Sequence, residues 1–185
     1  MKEAQTIILA GGASKRMGSD KGLLKRSGKP FVLKVIEAAK PVSNRVMIIT
    51  SNEEYKRFGH PLYADLIKNK GPAGGIYTGL SISKYETNII LSCDIPYIEP
   101  SLISVLLSRS GNEDVLIYKD GDKTHPLIGI YKKSVSEHFK KCIDKNILKM
   151  EDILKTLNVK ELDLPEPMRK QAQNINTKQE FEELR

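Results

Sequence analysis

Residues 7–25 read IILAGGASKRMGSDKGLLK, and the way this stretch is read decides the fold. Apolar residues 6–10 form a short unbroken run, as expected for a strand buried on both faces. The run ends in Gly11-Gly12, and Lys15, Arg16, Lys21 and Lys25 follow. A buried strand that opens into glycines and cations predicts a loop built to receive an anion. It is neither of two common phosphate loops. Five residues separate Gly12 from Gly18, no Lys-Ser or Lys-Thr follows Gly18, and there is no G-x-G-x-x-G. What remains is physical: glycines that admit close backbone approach, a guanidinium fork at Arg16 and a compact ammonium at Lys21. Taken alone, the segment also fits a glycine turn followed by a solvated basic loop.

Outward from this stretch, strand and helix patterns alternate. A long loop is expected over residues 11–29. Pro30 opens a helix whose stripe is Phe31, Val32, Val35, Ile36 and Ala39. Strands are expected at 45–50 and 88–93, a short polar helix at 53–58 and an extended segment at 61–63. Residues 69–75 (NKGPAGG) read as a loop, with a glycine-tolerant helix after it. Pro100 starts a helix to residue 107. Residues 114–131 read as two strands around Asp-Gly and Gly-Asp turn residues, a hairpin-like antiparallel excursion. Helices at 134–143 and 150–157 and a late strand at 159–162 follow. Thr177 and Glu180 form a capping box that launches a terminal helix. The expected fold is α/β: three α/β/α layers, Rossmann-like, on a mainly parallel sheet with a small antiparallel excursion. Ligands of such sheets bind beyond the carboxyl ends of the strands, here at residues 11–21, 51–52 and 94–96.

The 185 residues suit a single domain, 1–185. The net charge of +7 favours polyanionic partners, but no Arg-rich run or aromatic stacking pattern points to nucleic acid. Cys93 and Cys142 stand far apart with no zinc spacing, and both read as buried apolar residues in a reducing compartment. The sequence shows no apolar leader and no run long enough to span a membrane, so a soluble, cytoplasmic protein is expected.

Three further stretches carry chemistry. In residues 92–100 (SCDIPYIEP), Asp94 ends a buried strand; a hard carboxylate there suits Mg²⁺, and a turn or cap role suits it too. The glycine-rich residues 70–79 lead into a helix N-terminus. Asn174 and Asn176 fall on one side of an extended segment, where they either read a polar heterocycle or cap the last helix. His125 either packs beside Pro126 or meets a ligand.

Together these pieces resemble the molybdenum cofactor guanylyltransferases. LAGGASKRMGSDKGLL is similar to that family's L-A-G-G-x-x-x-R-M-G-x-D-K signature, GPAGGI to its G-P-L-A-G-I, CDIPYI to its C-D-x-P strand end, HPLIGIY to its His-Pro strand, and NINT with EFEEL to its C-terminal motif. The motifs run in family order over nearly the whole chain. The resemblance implies transfer of GMP from Mg-GTP to the phosphate of molybdopterin, with release of pyrophosphate. The N-terminal half would bind GTP and the C-terminal half molybdopterin. By position, Leu9, Ala10, Gly11 and Gly12 would line the guanine and ribose, and Arg16 and Lys21 would hold the triphosphate. Asn52 and Asp65 would lie near the nucleoside, Asp94 would hold Mg²⁺, and Asn174 and Asn176 would face the pterin. Molybdoenzyme chaperones and a small adapter GTPase are the implied protein partners. One departure stands out: Ala73-Gly74-Gly75 replaces the family's Leu-Ala-Gly. Relatives that use CTP carry L-A-A-G, with a methyl where this chain has Gly11. A CTP-dependent or sugar-phosphate nucleotidyltransferase and a non-catalytic nucleotide or nucleic-acid binder are the competing expectations.

Overall fold

The computed structural model describes residues 3–11 and 20–182. Gly12 and Arg16 of the first loop lie outside these residues, as does Lys15.

Nine strands are β1 (Ala4–Leu9), β2 (Lys25–Arg26), β3 (Lys29–Pro30), β4 (Val46–Ile49), β5 (Leu62–Tyr63), β6 (Thr87–Ser92), β7 (Val115–Asp120), β8 (Lys123–Lys132) and β9 (Val159–Asp163) among the described residues. The helices are α1 (Phe31–Ala39), α2 (Gly71–Ile82), α3 (Pro100–Arg109), α4 (Ser136–Asp144), α5 (Met150–Leu154) and α6 (Lys178–Glu182). Seven strands form one sheet in the order β5-β4-β1-β6-β8-β7-β9. The pairings β5·β4, β4·β1, β1·β6 and β7·β9 are parallel, and only β8 runs against its neighbours.

Alternation along β1 sorts the core. Ile8 points into a cluster with Val32, Val35 and Ile36 of α1 and Leu102, Ile103 and Leu106 of α3. Ile7 points to the other face, with Ile76 and Leu80 of α2, Phe139 and Ile143 of α4 and Ile153 of α5. The sheet is therefore covered on both sides, in the three layers expected. Glycine in α2 follows from this packing: a Cβ at Gly79 would stand 2.5 Å from Ile7 Cγ2.

The antiparallel hairpin expected at 114–131 is β7–β8; β8 also pairs with β6 from Thr87↔Lys132 to Leu91↔Ile128, so the hairpin is part of the main sheet. Two expectations change. The expected loop at 11–29 contains the two-stranded antiparallel ribbon β2–β3 at its end. The segment 71–75 is the first turn and more of α2, not a loop, with Pro72 in its opening turn. Both cysteines are buried. No helix among the described residues is long and apolar enough to cross a membrane.

Candidate active site

The carboxyl ends of β1, β4, β5 and β6 release their loops at one rim, and a cleft of about 660 Å³ opens there. Leu9, Ala10 and Gly11 leave β1; Thr50, Ser51 and Asn52 leave β4; Ala64 and Asp65 leave β5; Ser92 closes β6. All line the cleft, together with Asp20, Lys68 and Asn69 and the start of α2. Four residues that the sequence assigns to the nucleoside (Leu9, Ala10, Asn52, Asp65) thus share a wall with Gly11. Among the described residues, a Cβ at Gly11 would meet only Asp65 Oδ2 at 3.7 Å and Ile49 O at 3.9 Å, ordinary contacts. The fold itself leaves room for a side chain at Gly11, so the space it spares belongs to the cleft.

Asp65 sits in this wall half-buried, with Oδ1 shielded from solvent and lacking a hydrogen-bond partner among the described residues. Burial raises its carboxyl above the usual 3.8. Its loop is fixed by Thr78 of α2. The Thr78 hydroxyl donates to Gly74 O at 2.8 Å and accepts from Leu66 N at 2.9 Å. A shielded carboxylate oxygen without a partner in the fold is an acceptor that a donor entering the cleft can satisfy.

A second cleft, of about 420 Å³, lies between the β7–β8 turn and the C-terminal segment. Asp120, Lys123, His125, Arg169, Lys170, Asn174, Asn176 and Glu180 are among its lining. Arg169 Nε pairs with Asp120 at 3.0 Å. His125 belongs to β8 opposite Tyr118, where the register shifts, and its side chain is buried with Nε2 unpartnered among the described residues. Burial first, then Lys123, hold its pKa below 6.5.

Asp94 lies between the clefts. Ser92 Oγ, from the wall of the first, donates to Asp94 Oδ1 at 2.5 Å. Asn174 Nδ2, from the wall of the second, donates to the same oxygen at 2.8 Å. Lys21 Nζ lies 3.4 Å from Asp94 Oδ2 and donates to Asn176 Oδ1 at 2.6 Å. Ile175 N bonds Asp94 O at 2.9 Å, which stitches the C-terminal segment to the strand end. Alternation about Ile175 sends Asn174 and Asn176 to the same side, as the sequence predicts. Residues 21, 94, 174 and 176 therefore form one cluster.

The donor set fits a magnesium ion carried on phosphates. Asp94 Oδ1 is held by two donors, whereas among the described residues Oδ2 has only the long contact to Lys21. That leaves one oriented hard oxygen, and Mg²⁺ ordinarily takes one or two carboxylates with phosphate oxygens completing its shell. No group of three or more metal-binding side chains exists among the described residues, so a cage made wholly of protein is absent there.

A family model described as a MobA-like NTP transferase domain matches residues 6–161. The chain belongs to the MobA-like NTP transferase family. A protein of Flavobacterium johnsoniae named "Probable molybdenum cofactor guanylyltransferase" is 40% identical over 185 residues, covering 100% of this chain and 97% of that one. A crystal structure from Aquifex aeolicus superposes with a TM-score of 0.82 at 29% identity, covering 96% and 95% of the two chains. The molybdopterin-guanine dinucleotide biosynthesis protein A of Archaeoglobus fulgidus shares the fold, with a TM-score of 0.82 at 24% identity over 97% and 96%. As a MobA-like transferase, the protein is a nucleotidyltransferase, and its parallel-sheet rim is where such a fold presents its ligand.

Sequence reasoning assigns no role to Asp20, Lys68, Asn69 or Thr50. Asp20 stands inside the D-K of the first motif; the other three carry no spacing signal and reach the cleft only through the fold.

Proposed function

We propose that this MobA-like protein transfers GMP from GTP to the phosphate of molybdopterin, forming the guanine dinucleotide and releasing pyrophosphate. The observation that supports this most is the pair of hydrogen bonds that Asp94 Oδ1 accepts, one from Ser92 in one cleft and one from Asn174 in the other. In this reading the first cleft, formed mainly by the N-terminal half, takes the nucleoside against Leu9, Ala10, Gly11, Asn52 and Asp65. The second cleft, formed mainly by the C-terminal half, takes the pterin beside Asn174 and Asn176, with His125 in its wall.

The chemistry asks little of acid–base groups. A phosphate monoester has a second pKa of about 6 and is mostly dianionic at pH 7, so it is already a nucleophile. Its oxygen attacks the α-phosphorus of GTP in line; the bond to the β-phosphate breaks, and pyrophosphate leaves with the electron pair. The obstacle is repulsion between two polyanions. Lys21 faces that charge directly, with Arg16 as its counterpart from the first loop, and Asn174 and Asn176 fix Asp94 and Lys21 against each other. Asp94 Oδ2 would hold Mg²⁺, which when bound supplies further neutralisation of the triphosphate. The free space at Gly11 supports guanine over a pyrimidine base. On the same reading, this is a cytoplasmic enzyme that hands its product to molybdoenzyme chaperones, with an adapter GTPase as a further partner.

Pyrophosphate release measured with GTP, CTP, UTP and ATP in turn, with and without molybdopterin, tests the reading. GTP with molybdopterin should be the productive pair. Preference for CTP, or turnover with a sugar phosphate instead of the pterin, would replace it.

A further inference from the structure

We infer that Tyr55, through Asp20, is a positioning residue for Lys21; the inference rests on the guanylyl-transfer reading for its kinetic consequence. Tyr55 lies on the short 3₁₀ turn Glu53–Phe58, behind the nucleotide cleft, and its side chain is fully buried. Its hydroxyl donates to Asp20 Oδ1 at 2.6 Å. That oxygen also accepts Gly22 N at 3.0 Å, while Asp20 Oδ2 accepts Asn52 Nδ2 at 3.0 Å. The carboxylate thereby accepts three donors from two segments: Gly22 two residues on, and Asn52 and Tyr55 of the turn that Asn52 caps. Lys21 stands between Asp20, held by its side chain, and Gly22, held by its amide.

Gly22 shows how tight the clamp is. A Cβ there would fall 2.3 Å from Tyr55 Oη and 3.1 Å from both Cβ and Sγ of Cys93. The backbone beside Lys21 thus lies close against both the Tyr55 hydroxyl and Cys93, the residue before Asp94. Burial, with Cys93 and Asp20 beside it, raises the phenol pKa, so the hydroxyl remains a neutral donor throughout the working pH range. One buried hydroxyl therefore registers the lysine segment against the strand end that carries the carboxylate. Lys21 has a long flexible stem, and placement of its ammonium near Asp94 depends on where its backbone is fixed. Displacement of a group by about 1 Å can cost on the order of 100-fold in rate.

Two readouts test this. The first is independent of turnover: peptide-resolved acetylation of Lys21 in the folded protein. Tyr55→Phe should raise its labelling rate at least five-fold, because the ammonium spends more time away from Asp94 and Asn176; an unchanged rate overturns the inference. The second is steady-state guanylyl transfer. Tyr55→Phe should lower kcat about 10- to 100-fold while the Kd for GTP stays within about three-fold, a split expected for lost alignment. Phe58→Leu loosens the same turn without touching Asp20, and should leave both kcat and Lys21 labelling near wild type. If it matches Tyr55→Phe, the effect is general packing and the inference fails. Asp20→Asn, which keeps Oδ1 but turns an amide against Asn52, is the second variant should Tyr55→Phe fold poorly; wild-type labelling and kcat in it overturn the inference as well. A wild-type protein that makes no guanine dinucleotide sinks the transfer reading, while the labelling result still decides the role of Tyr55.

Discussion

The two clefts that meet at Asp94 are built by different means. The first is made of strand ends: β1, β4, β5 and β6 are parallel, so their loops arrive at one rim by topology alone. The second depends on closure over long sequence distance. Asn176 reaches Lys21 across 155 positions and Asn174 reaches Asp94 across 80. A nucleotide site of the first kind comes with the fold, whereas a site of the second kind must be added by whichever segment returns to the rim. On the proposed reading, which puts guanine in the first cleft and the acceptor in the second, the first should be tuned by single residues in a stable frame, and the second should fail as a unit when its stitching is cut.

Asp94 belongs to both sides, so its loss should be felt most. Asp94→Ala is expected to lower turnover by 100- to 1,000-fold or more, comparable to the loss of an electrostatic group in a preorganised site, on the order of 3 kcal/mol. Circular dichroism and thermal melting should show the fold retained. Near-normal Mg²⁺-dependent turnover would remove Asp94 from the mechanism.

The next pair separates the clefts. Gly11→Ala should weaken GTP binding about ten-fold or more with little change in thermal midpoint, because the added methyl meets the fold only at 3.7 and 3.9 Å. Asn174→Ala should leave the Kd for GTP near wild type and slow transfer to molybdopterin about ten-fold, since it removes one of the two donors on Asp94 Oδ1. Isothermal titration with GTP and single-turnover transfer give the two numbers. The comparison collapses if both variants change GTP affinity alike.

The smallest effects concern pH, and they carry opposite signs on the two sides. Asp65 titrates above its usual 3.8 in the folded protein. The folded state therefore holds its proton to higher pH, and stability is lost as pH rises from 3.8 through the folded value. Asp65→Asn should consequently raise the melting temperature at pH 7 by roughly 2 °C while weakening GTP binding. His125 titrates below 6.5. Its neutral buried ring costs stability as pH falls below 6.5 toward the folded value, because only the unfolded chain takes up the proton there. His125→Gln should flatten the melting curve against pH in that window. Identical pH profiles for wild type and His125→Gln would contradict this.

The contrast between the clefts also explains what the sequence made legible. β1, β4 and β6 are buried on both faces and read as unbroken apolar runs, and α1 shows a clear helical stripe. Their order alone predicts the layers and the rim. Short-range chemistry was equally visible, as with the Thr177–Glu180 box, in which Glu180 N bonds Thr177 Oγ1 at 3.1 Å and Thr177 N bonds Glu180 Oε2 at 2.9 Å. The two-residue strands β2 and β3 are too short to show any period. The start of α2 hides behind Gly71-Pro72-Ala73-Gly74-Gly75, a composition that spells a turn until α2 is seen to press Gly79 onto Ile7 and hold the Asp65 loop through Thr78. The place of β8 in the main sheet rests on pairings such as Asn88↔Tyr131, which no local pattern encodes. At the site, Asp94, Lys21, Asn174 and Asn176 could be singled out by type and motif. Asp20 stands in the first motif as well, but its role could not be read there, since it depends on a tyrosine 35 positions away.

The most direct test of the shared junction is a crystal structure with Mg²⁺, a non-hydrolysable GTP analogue and molybdopterin bound together. The guanine should lie in the first cleft against Gly11 and Asp65, the pterin in the second beside Asn174, and the α-phosphate and acceptor phosphate should meet at Lys21 and the Asp94-held ion. A triphosphate that runs away from Asp94, or both molecules seated in one cleft, would contradict it.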